Sequence, residues 1–180
     1  MSCEAVLTRR AQREQLCRLA DVDAINLFDA VVRDPDDSRP EGFRRGALQF
    51  GPLLGASRLG ATLYELPPGE RLSPYHYEHN NEEWLVVLEG RPTLRTPAGE
   101  AELRPGDVVA FPEGTAGAHA VANRSDERVR VVMLSTKRKP RVTVYPDSDK
   151  LAVWSFESGD ADDLVVKRSD ATGYWDGEAH

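Results

Sequence analysis

The sequence has few of the features that mark secreted or membrane-embedded proteins. Its 180 residues include two cysteines, and its longest apolar run covers only residues 84–88. Two cysteines do not form a disulfide framework, and so short a run does not cross a bilayer. The first residues also lack the apolar segment of a secretory signal. We therefore expect a cytoplasmic protein with no membrane partner, and we assign no chemical role to Cys3 or Cys17.

Positive charge is also in deficit. The chain has 23 lysines and arginines against 30 aspartates and glutamates, which gives a net charge of −7. Binding to nucleic acid requires lysine and arginine concentrated against the phosphates. The one basic run, TKRKPR at residues 136–141, has the pattern of a solvent-exposed strand end. We therefore expect no nucleic-acid partner.

Glycine and proline, by contrast, are frequent, with 14 and 12 copies. Together with Asn and Asp they bound ten short runs rich in β-branched residues, between residues 47 and 169. Short strands separated by hairpin-sized gaps are typical of an antiparallel sandwich or barrel. One helix is predicted, over residues 8–20, where strong helix formers follow a capping threonine. The sequence thus predicts an all-β antiparallel protein with a short N-terminal helix and terminal strands.

The chain divides into three parts of different composition. Residues 1–46 contain the predicted helix and a charged connecting arm, and residues 47–145 contain the barrel strands. Residues 146–180 form a C-terminal extension that we expect to pack on the barrel or on a partner subunit. A chain of 180 residues is long enough for one domain with such extensions.

The apolar patterns of two predicted strands indicate which strand faces are covered. Residues 84–88 are apolar on both faces, so their second face needs cover from the terminal segments or from another subunit. In residues 127–135, alternation predicts that Val131 and Met133 point inward while Arg128 and Arg130 face solvent. The terminal strands also present edges that need pairing. From these features we expect a homodimer.

Histidines and carboxylates cluster near turns within this β pattern. His76 and Glu78 are two positions apart, so on a strand they project from the same face. A bend at residues 79–81 lets the next strand run back and places Glu83 beside them, and His119 follows on a later strand. Inward imidazoles and carboxylates from adjacent strands can converge on one divalent cation, which compensates their buried charge. The cluster therefore predicts a metal site.

Other residues near the cluster offer alternatives. His79, four positions before Glu83, is an alternative ligand, although on a regular strand it faces away from His76. Glu82 would replace Glu83 if the loop were one residue shorter. Tyr75 and Tyr77 are candidates for proton transfer or substrate binding, or simply β-forming residues. No other catalytic residue is assigned.

The spacing of these residues resembles the two motifs of the cupin family. The first family motif is Gly, five residues, His-x-His, three or four residues, Glu, six residues and Gly. The second is Gly, five residues, Pro-x-Gly, two residues, His, three residues and Asn. The chain departs by one residue in the first motif, and it has four residues rather than two before the histidine of the second. The matching positions are Gly69, His76, Glu78, Glu83, Gly90, Gly106, Pro112, Gly114, His119 and Asn123.

The resemblance implies a double-stranded β-helix, or jelly-roll barrel, with metal ligands at His76, Glu83 and His119. Glu78 stands where most cupins have a further histidine, and the resemblance implies that it is the fourth ligand. Two imidazoles with two carboxylates favour Mn, Fe or Zn. This departure also weakens any transfer of a dioxygenase activity that depends on three histidines.

Two functions remain open from the sequence. The first is a metal-dependent enzyme that acts on a small oxygenated metabolite by isomerisation, lyase chemistry or oxygen-dependent cleavage. The second is a non-catalytic module that binds a small-molecule ligand or a metal. A metal-free barrel is a third possibility. Because one fold can carry several activities, the predicted fold does not distinguish these possibilities.

Overall fold

The computed structural model describes residues 17–19, 22–33, 35, 37–155 and 163–178. Within these residues the chain forms β-strands and short 3-10 turns but no α-helix. No helix there has the length and apolar character to span a membrane. The 3-10 turns are Pro52–Leu54, Thr115–Gly117, Pro146–Ser148 and Arg168–Asp170. The strands are β1 Cys17–Leu19, β2 Val22–Ala24, β3 Gly46–Gln49, β4 Leu59–Leu66, β5 Tyr77–Glu78, β6 Glu83–Glu89, β7 Thr93–Thr96, β8 Gly99–Glu102, β9 Val108–Phe111, β10 Ala120–Ala122, β11 Val129–Thr136, β12 Arg141–Tyr145, β13 Lys150–Trp154 and β14 Leu164–Lys167.

The strands pair into antiparallel sheets, as the sequence predicts. The central sheet has five strands in the order β3-β4-β11-β6-β9. A three-stranded sheet, β10-β7-β8, and a four-stranded sheet, β14-β13-β12-β5, accompany it, and β1 pairs with β2. β13 and β14 therefore extend the sheet that carries β5. The prediction of an all-β antiparallel fold is confirmed.

The five-stranded sheet is buried on both faces. On its inner face, Leu85, Val87 and Val131 belong to a cluster of buried apolar side chains that fills the barrel. Along β6 and β11 the alternate residues, such as Val86 and Val132, point to the outer face and belong to a second apolar cluster. The pleat of the strands thus separates two cores.

A segment of the same chain covers the outer face. From residues 25–32, the second cluster includes the side chains of Ile25, Leu27, Ala30 and Val32. Arg130 is only 5% exposed, and its two Nη atoms donate to the carbonyls of Phe28 and Ala30. Arg130 was predicted to face solvent, and that prediction is wrong because this segment lies over the outer face. This segment therefore covers Val86 and Leu88 of β6 but leaves Trp84 43% exposed, and the homodimer stays a prediction.

The predicted N-terminal helix is wrong where the structure describes it. Cys17–Leu19 is strand β1, which pairs antiparallel with Val22–Ala24. The rest of residues 8–20 lies outside the described residues. Helix propensity is worth only tenths of a kcal/mol per residue, so strand pairing readily overrides it.

Candidate metal centre

Three predicted ligands meet inside the barrel. The ligand atoms of His76, Glu83 and His119 all lie within 4.8 Å of one another. Glu83 Oε2 is 3.4 Å from His76 Nε2 and 3.7 Å from His119 Nε2. Each residue comes from a different sheet: Glu83 begins β6, while His76 and His119 directly precede β5 and β10. The site therefore forms only when the barrel closes.

Main-chain pairing brings the two histidines side by side. The N–H of His76 donates to the carbonyl of His119 at 3.0 Å, and the N–H of His119 donates back at 2.8 Å. Their ring centroids are 4.7 Å apart, and the ring of His119 also stacks on Phe111 at 3.7 Å. The two imidazoles are thus held in place by backbone bonds and by packing.

Backbone carbonyls orient both rings toward Glu83. His76 Nδ1 donates to the Pro74 carbonyl and His119 Nδ1 donates to the Gly117 carbonyl, each at 2.9 Å. With Nδ1 donating to a carbonyl, Nε2 of each ring faces the cluster, which is the orientation that metal-binding histidines use. A side chain at Gly117 would collide with the carbonyl of Pro112, so this close turn requires glycine.

The electrostatics of the cluster fit a cation. Burial, together with the nearby charge of His76, lowers the pKa of His119 to about 4, so this imidazole stays neutral. Its Nε2 is buried and has no hydrogen-bond partner. Burial alone would raise the pKa of Glu83, but the hydrogen bond from His76 and the nearby positive charges, that of His76 among them, outweigh it and lower that pKa. A carboxylate and an imidazole nitrogen that has no hydrogen-bond partner together form a donor set that can bind a divalent ion.

Glu78 lies near the cluster but outside the group of three. Burial, followed by the charge of Glu83, raises its pKa to about 7. Its Oε1 is 3.5 Å from Thr143 Oγ1 and 3.6 Å from Arg141 Nε, whereas its Oε2 is buried without a hydrogen-bond partner. Ligation by Glu78 therefore stays a prediction.

The alternative ligands lie elsewhere. His79 is exposed, and the edge of Tyr77 packs against its ring at a centroid distance of 5.3 Å. Glu82 is also exposed and accepts a hydrogen bond from the indole of Trp84. Within the described residues, the structure brings Glu83, rather than His79 or Glu82, to the two histidines.

The tyrosines near the site differ from those that the sequence indicated. The ring of Tyr75 lies 4.0 Å from the Arg95 guanidinium, and neither Tyr75 nor Tyr77 lines the cavity at the cluster. Tyr145 does line it, with its ring stacked on His76 at 5.9 Å. Burial is the main cause of a raised pKa at Tyr145. The alternation of RVTVY in β12, which sets Arg141, Thr143 and Tyr145 on one face, was the signal that would have found it.

A cavity of about 660 Å³ opens above the cluster. Its size is within the usual range for small-molecule sites. In a chain with a net charge of −7, this cavity is lined by four cationic side chains against two carboxylates, Glu78 and Glu83. Such a lining attracts anionic ligands. The four cationic residues are Arg39, Arg45, Arg141 and Lys150.

Comparisons with known proteins agree with this geometry. A family model described as a cupin domain matches residues 62–135. Among solved structures, a putative sugar phosphate isomerase from Acidithiobacillus ferrooxidans superposes with a TM-score of 0.72 at 24% identity, covering 89% of this chain and 97% of that one. A sugar phosphate isomerase from a cupin superfamily, from Silicibacter pomeroyi, gives a TM-score of 0.69 at 25% identity, covering 85% and 98%. No curated protein sequence matches the chain.

Proposed function

Residues 62–135 form a cupin domain, and from this premise we propose that the protein is a divalent-metal-dependent isomerase of a small phosphorylated sugar. The observation that carries the proposal is a cluster of two histidines and one carboxylate on a cavity lined by four cationic side chains. The similarity to the isomerase from Silicibacter pomeroyi supports the substrate class.

The metal ligands in this proposal are His76 Nε2, His119 Nε2 and Glu83 Oε2. Their nitrogen and oxygen donors suit Mn, Fe or Zn. A bound divalent ion supplies Lewis acidity, which polarises a carbonyl or hydroxyl oxygen of the sugar. The unpartnered Nε2 of His119 is the feature of the chain that fits this ion best.

Glu78 is the residue that we assign to proton transfer. Interconversion of an aldose and a ketose removes a proton from C2 and returns one to C1, while the hydroxyl proton moves between the two oxygens. Glu78 lines the cavity, and its Oε2 is buried without a hydrogen-bond partner, so this oxygen is placed to accept the carbon-bound proton and return it. Arg141 and Thr143 hold the other oxygen and orient the carboxylate.

The cavity also separates the reaction from bulk water. Leu72 and Met133 are buried and line it beside the cluster, and Tyr145 covers one side of His76. Charges that develop during proton transfer are stabilised more strongly where water is excluded. The cationic lining then holds the phosphate end of the sugar, which leaves the reacting carbons near Glu78 and the metal ligands.

Turnover of sugar phosphates tests the proposal. The protein is loaded with Mn, Fe or Zn and incubated in D₂O with aldose and ketose phosphates of three to six carbons. We expect interconversion, with deuterium incorporated at C1 or C2 as seen by NMR. A His79→Ala variant, altered at an exposed histidine, serves as the control and keeps full activity. Binding of sugar phosphates with neither interconversion nor exchange would overturn the enzyme proposal and favour a ligand-binding module.

A further inference from the structure

One face of the β12–β13 hairpin forms a wall of the cavity. Residues that lie opposite each other on two antiparallel strands project to the same side of the sheet. The hairpin pairs Arg141 with Trp154, Thr143 with Ala152 and Tyr145 with Lys150. All of these residues except Ala152 line the cavity. Strand pairing therefore fixes the order in which a bound substrate meets them.

The two cations of this wall belong to pairs at opposite ends of the hairpin. Arg141 and Tyr145 are four positions apart, so the two pairs are separated by about 13 Å along the strands. Between them, Thr143 pairs with Glu78 of β5. Arg141 and Lys150 are therefore placed to contact different ends of a bound molecule.

Arg141 contacts the carboxylate of the site. Its Nε lies 3.6 Å from Oε1 of Glu78, which is buried. Its guanidinium also lies 5.6 Å from the ring centroid of Trp154. A phosphate bound to Arg141 would place its negative charge close to Glu78, and like charges oppose such an arrangement. Arg141 therefore serves Glu78 rather than the phosphate of a substrate.

Lys150 has different surroundings. Its side chain is half-buried, and its Nζ lies 5.3 Å from the ring centroid of Tyr145. Within the part of the chain that the structure describes, its ammonium makes neither an ion pair nor a hydrogen bond. The face of an aromatic ring attracts an ammonium but does not neutralise it. Lys150 therefore offers the cavity a localised positive charge, which is how lysine binds phosphate.

Tyr145 links this charge to the candidate metal centre. Its ring stacks on His76 at a centroid distance of 5.9 Å and also contacts the ammonium of Lys150. One aromatic ring thus separates Lys150 from a metal ligand. A small sugar whose phosphate contacts Lys150 can therefore extend its carbons to His76 and Glu78, which line the same cavity.

We propose that Lys150 Nζ binds the phosphate group of the substrate and thereby determines specificity for phosphorylated over free sugars. This inference rests on the proposed function, because it names a substrate-binding residue of the same site. The sugar then lies along the β12–β13 wall, from Lys150 past Tyr145 and His76 toward Glu78.

Lys150→Met tests the proposal because it removes the charge and keeps a long side chain. Calorimetry measures the affinity of the metal-loaded protein for inorganic phosphate, glucose 6-phosphate and glucose, and kinetics give kcat and KM for the phosphorylated sugar that is turned over. We expect the affinity for both phosphates to fall about tenfold, because a hydrogen bond to a charged group is lost. The affinity for glucose should not change, and KM should rise with little change in kcat.

Two further variants serve as controls. Lys150→Arg keeps the positive charge and should recover most of the phosphate affinity. Lys167 lies opposite Lys150 on β14, is exposed and does not line the cavity, and its Nζ donates to the Ser148 carbonyl. Lys167→Met therefore removes a neighbouring charge, and this variant should bind phosphate like the unaltered protein.

The outcomes separate this proposal from the function on which it rests. If Lys150→Met binds phosphate like Lys167→Met, the proposal is overturned, whether or not isomerase activity is found. A loss of phosphate affinity in Arg45→Met instead would place the phosphate at the segment before β3. If Lys150→Met loses phosphate affinity but the unaltered protein turns over no sugar phosphate, the anion site stands and the isomerase function fails. A lower metal content in Lys150→Met would mean that Lys150 acts through Tyr145 and His76, and it would overturn the proposal.

Discussion

The two faces of the five-stranded sheet both bury polar groups, but they satisfy them differently. On the outer face, the Nη atoms of Arg130 donate to two main-chain carbonyls at 2.8 and 2.6 Å, and its Nε, which makes no hydrogen bond, lies 3.6 Å from Glu65 Oε2. In the cavity on the inner side, His119 Nε2 and Glu78 Oε2 are buried without a hydrogen-bond partner. The buried guanidinium of the outer face thus makes two hydrogen bonds within the chain, whereas these two buried atoms of the inner side make none.

This difference distinguishes a residue that stabilises the fold from residues of the candidate site. A buried polar atom without a partner costs about 1–3 kcal/mol, so proteins keep few of them. Where two such atoms line one cavity, the simplest physical explanation is a ligand that contacts them. Arg130 therefore holds the segment that covers the outer face, whereas we propose that His119 and Glu78 contact a cation and a substrate. Three variants test this contrast, and they are ordered here by the size of the expected effect.

Loss of a metal ligand should have the largest effect. We expect His119→Ala to weaken binding of Mn, Fe or Zn by about 100-fold or more, because a ligand is removed rather than its support. Metal analysis of the purified protein and titration of the metal-free form measure this loss. The matched control is His79→Ala, which should retain the metal. Equal metal content in the two variants would remove the assignment of the inner cluster as a metal site.

Glu78→Gln should abolish proton transfer while it spares the metal. The amide keeps the size of the side chain and its contact with Thr143, but it cannot accept a proton from carbon. We expect turnover to fall by about 100- to 10,000-fold, the usual range for a general base. Deuterium exchange in D₂O measures the proton step, and metal analysis is the second measurement. If the metal is lost together with activity, Glu78 is the fourth ligand, as the cupin resemblance implies.

Arg130→Met tests the outer face. It removes the donor of the carbonyls of Phe28 and Ala30, of which the Ala30 carbonyl is in a buried hydrogen bond, so we expect the free energy of unfolding to fall by about 2–4 kcal/mol. Metal content per folded molecule should not change. The control is Arg128→Met: Arg128 is about half exposed and pairs with Glu89 on the surface, which is worth no more than about 1 kcal/mol. Denaturant unfolding compares the two variants, and an equal loss would mean that Arg130 contributes no more than a surface ion pair.

Much of the fold, and the grouping of His76, Glu83 and His119, was predictable from the sequence. Apolar alternation and turn residues mark strands such as β4, β6 and β11, because a strand shows one face to each side. The resemblance to the first cupin motif, in which six residues separate Glu from Gly, distinguished Glu83 from Glu82. The two additional residues before His119 in the second motif are also a local feature, because the 3-10 turn Thr115–Gly117 lies between Gly114 and His119.

Other features could not be predicted from such patterns. The alternation in residues 127–135 places Arg130 and Val131 on opposite faces of the strand. It does not indicate that residues 25–32 lie over the face that carries Arg130. The run at residues 8–20 favours a helix by composition, yet Cys17–Leu19 pairs with a neighbouring strand. Each error arises where a contact with another segment outweighs a local preference.

Local chemistry therefore accounts for the strands, the turns and the residues able to ligate a metal in this protein, because periodicity and spacing act over a few residues. Pairing between strands that are distant in sequence determines which residues surround them. β12 carries Arg141 and Tyr145 to the cavity by pairing with β5, and the segment before β3 brings Arg45 from the other side. A cavity lined by such distant residues exists only in the folded barrel, where the energy of packing fixes which of them meet.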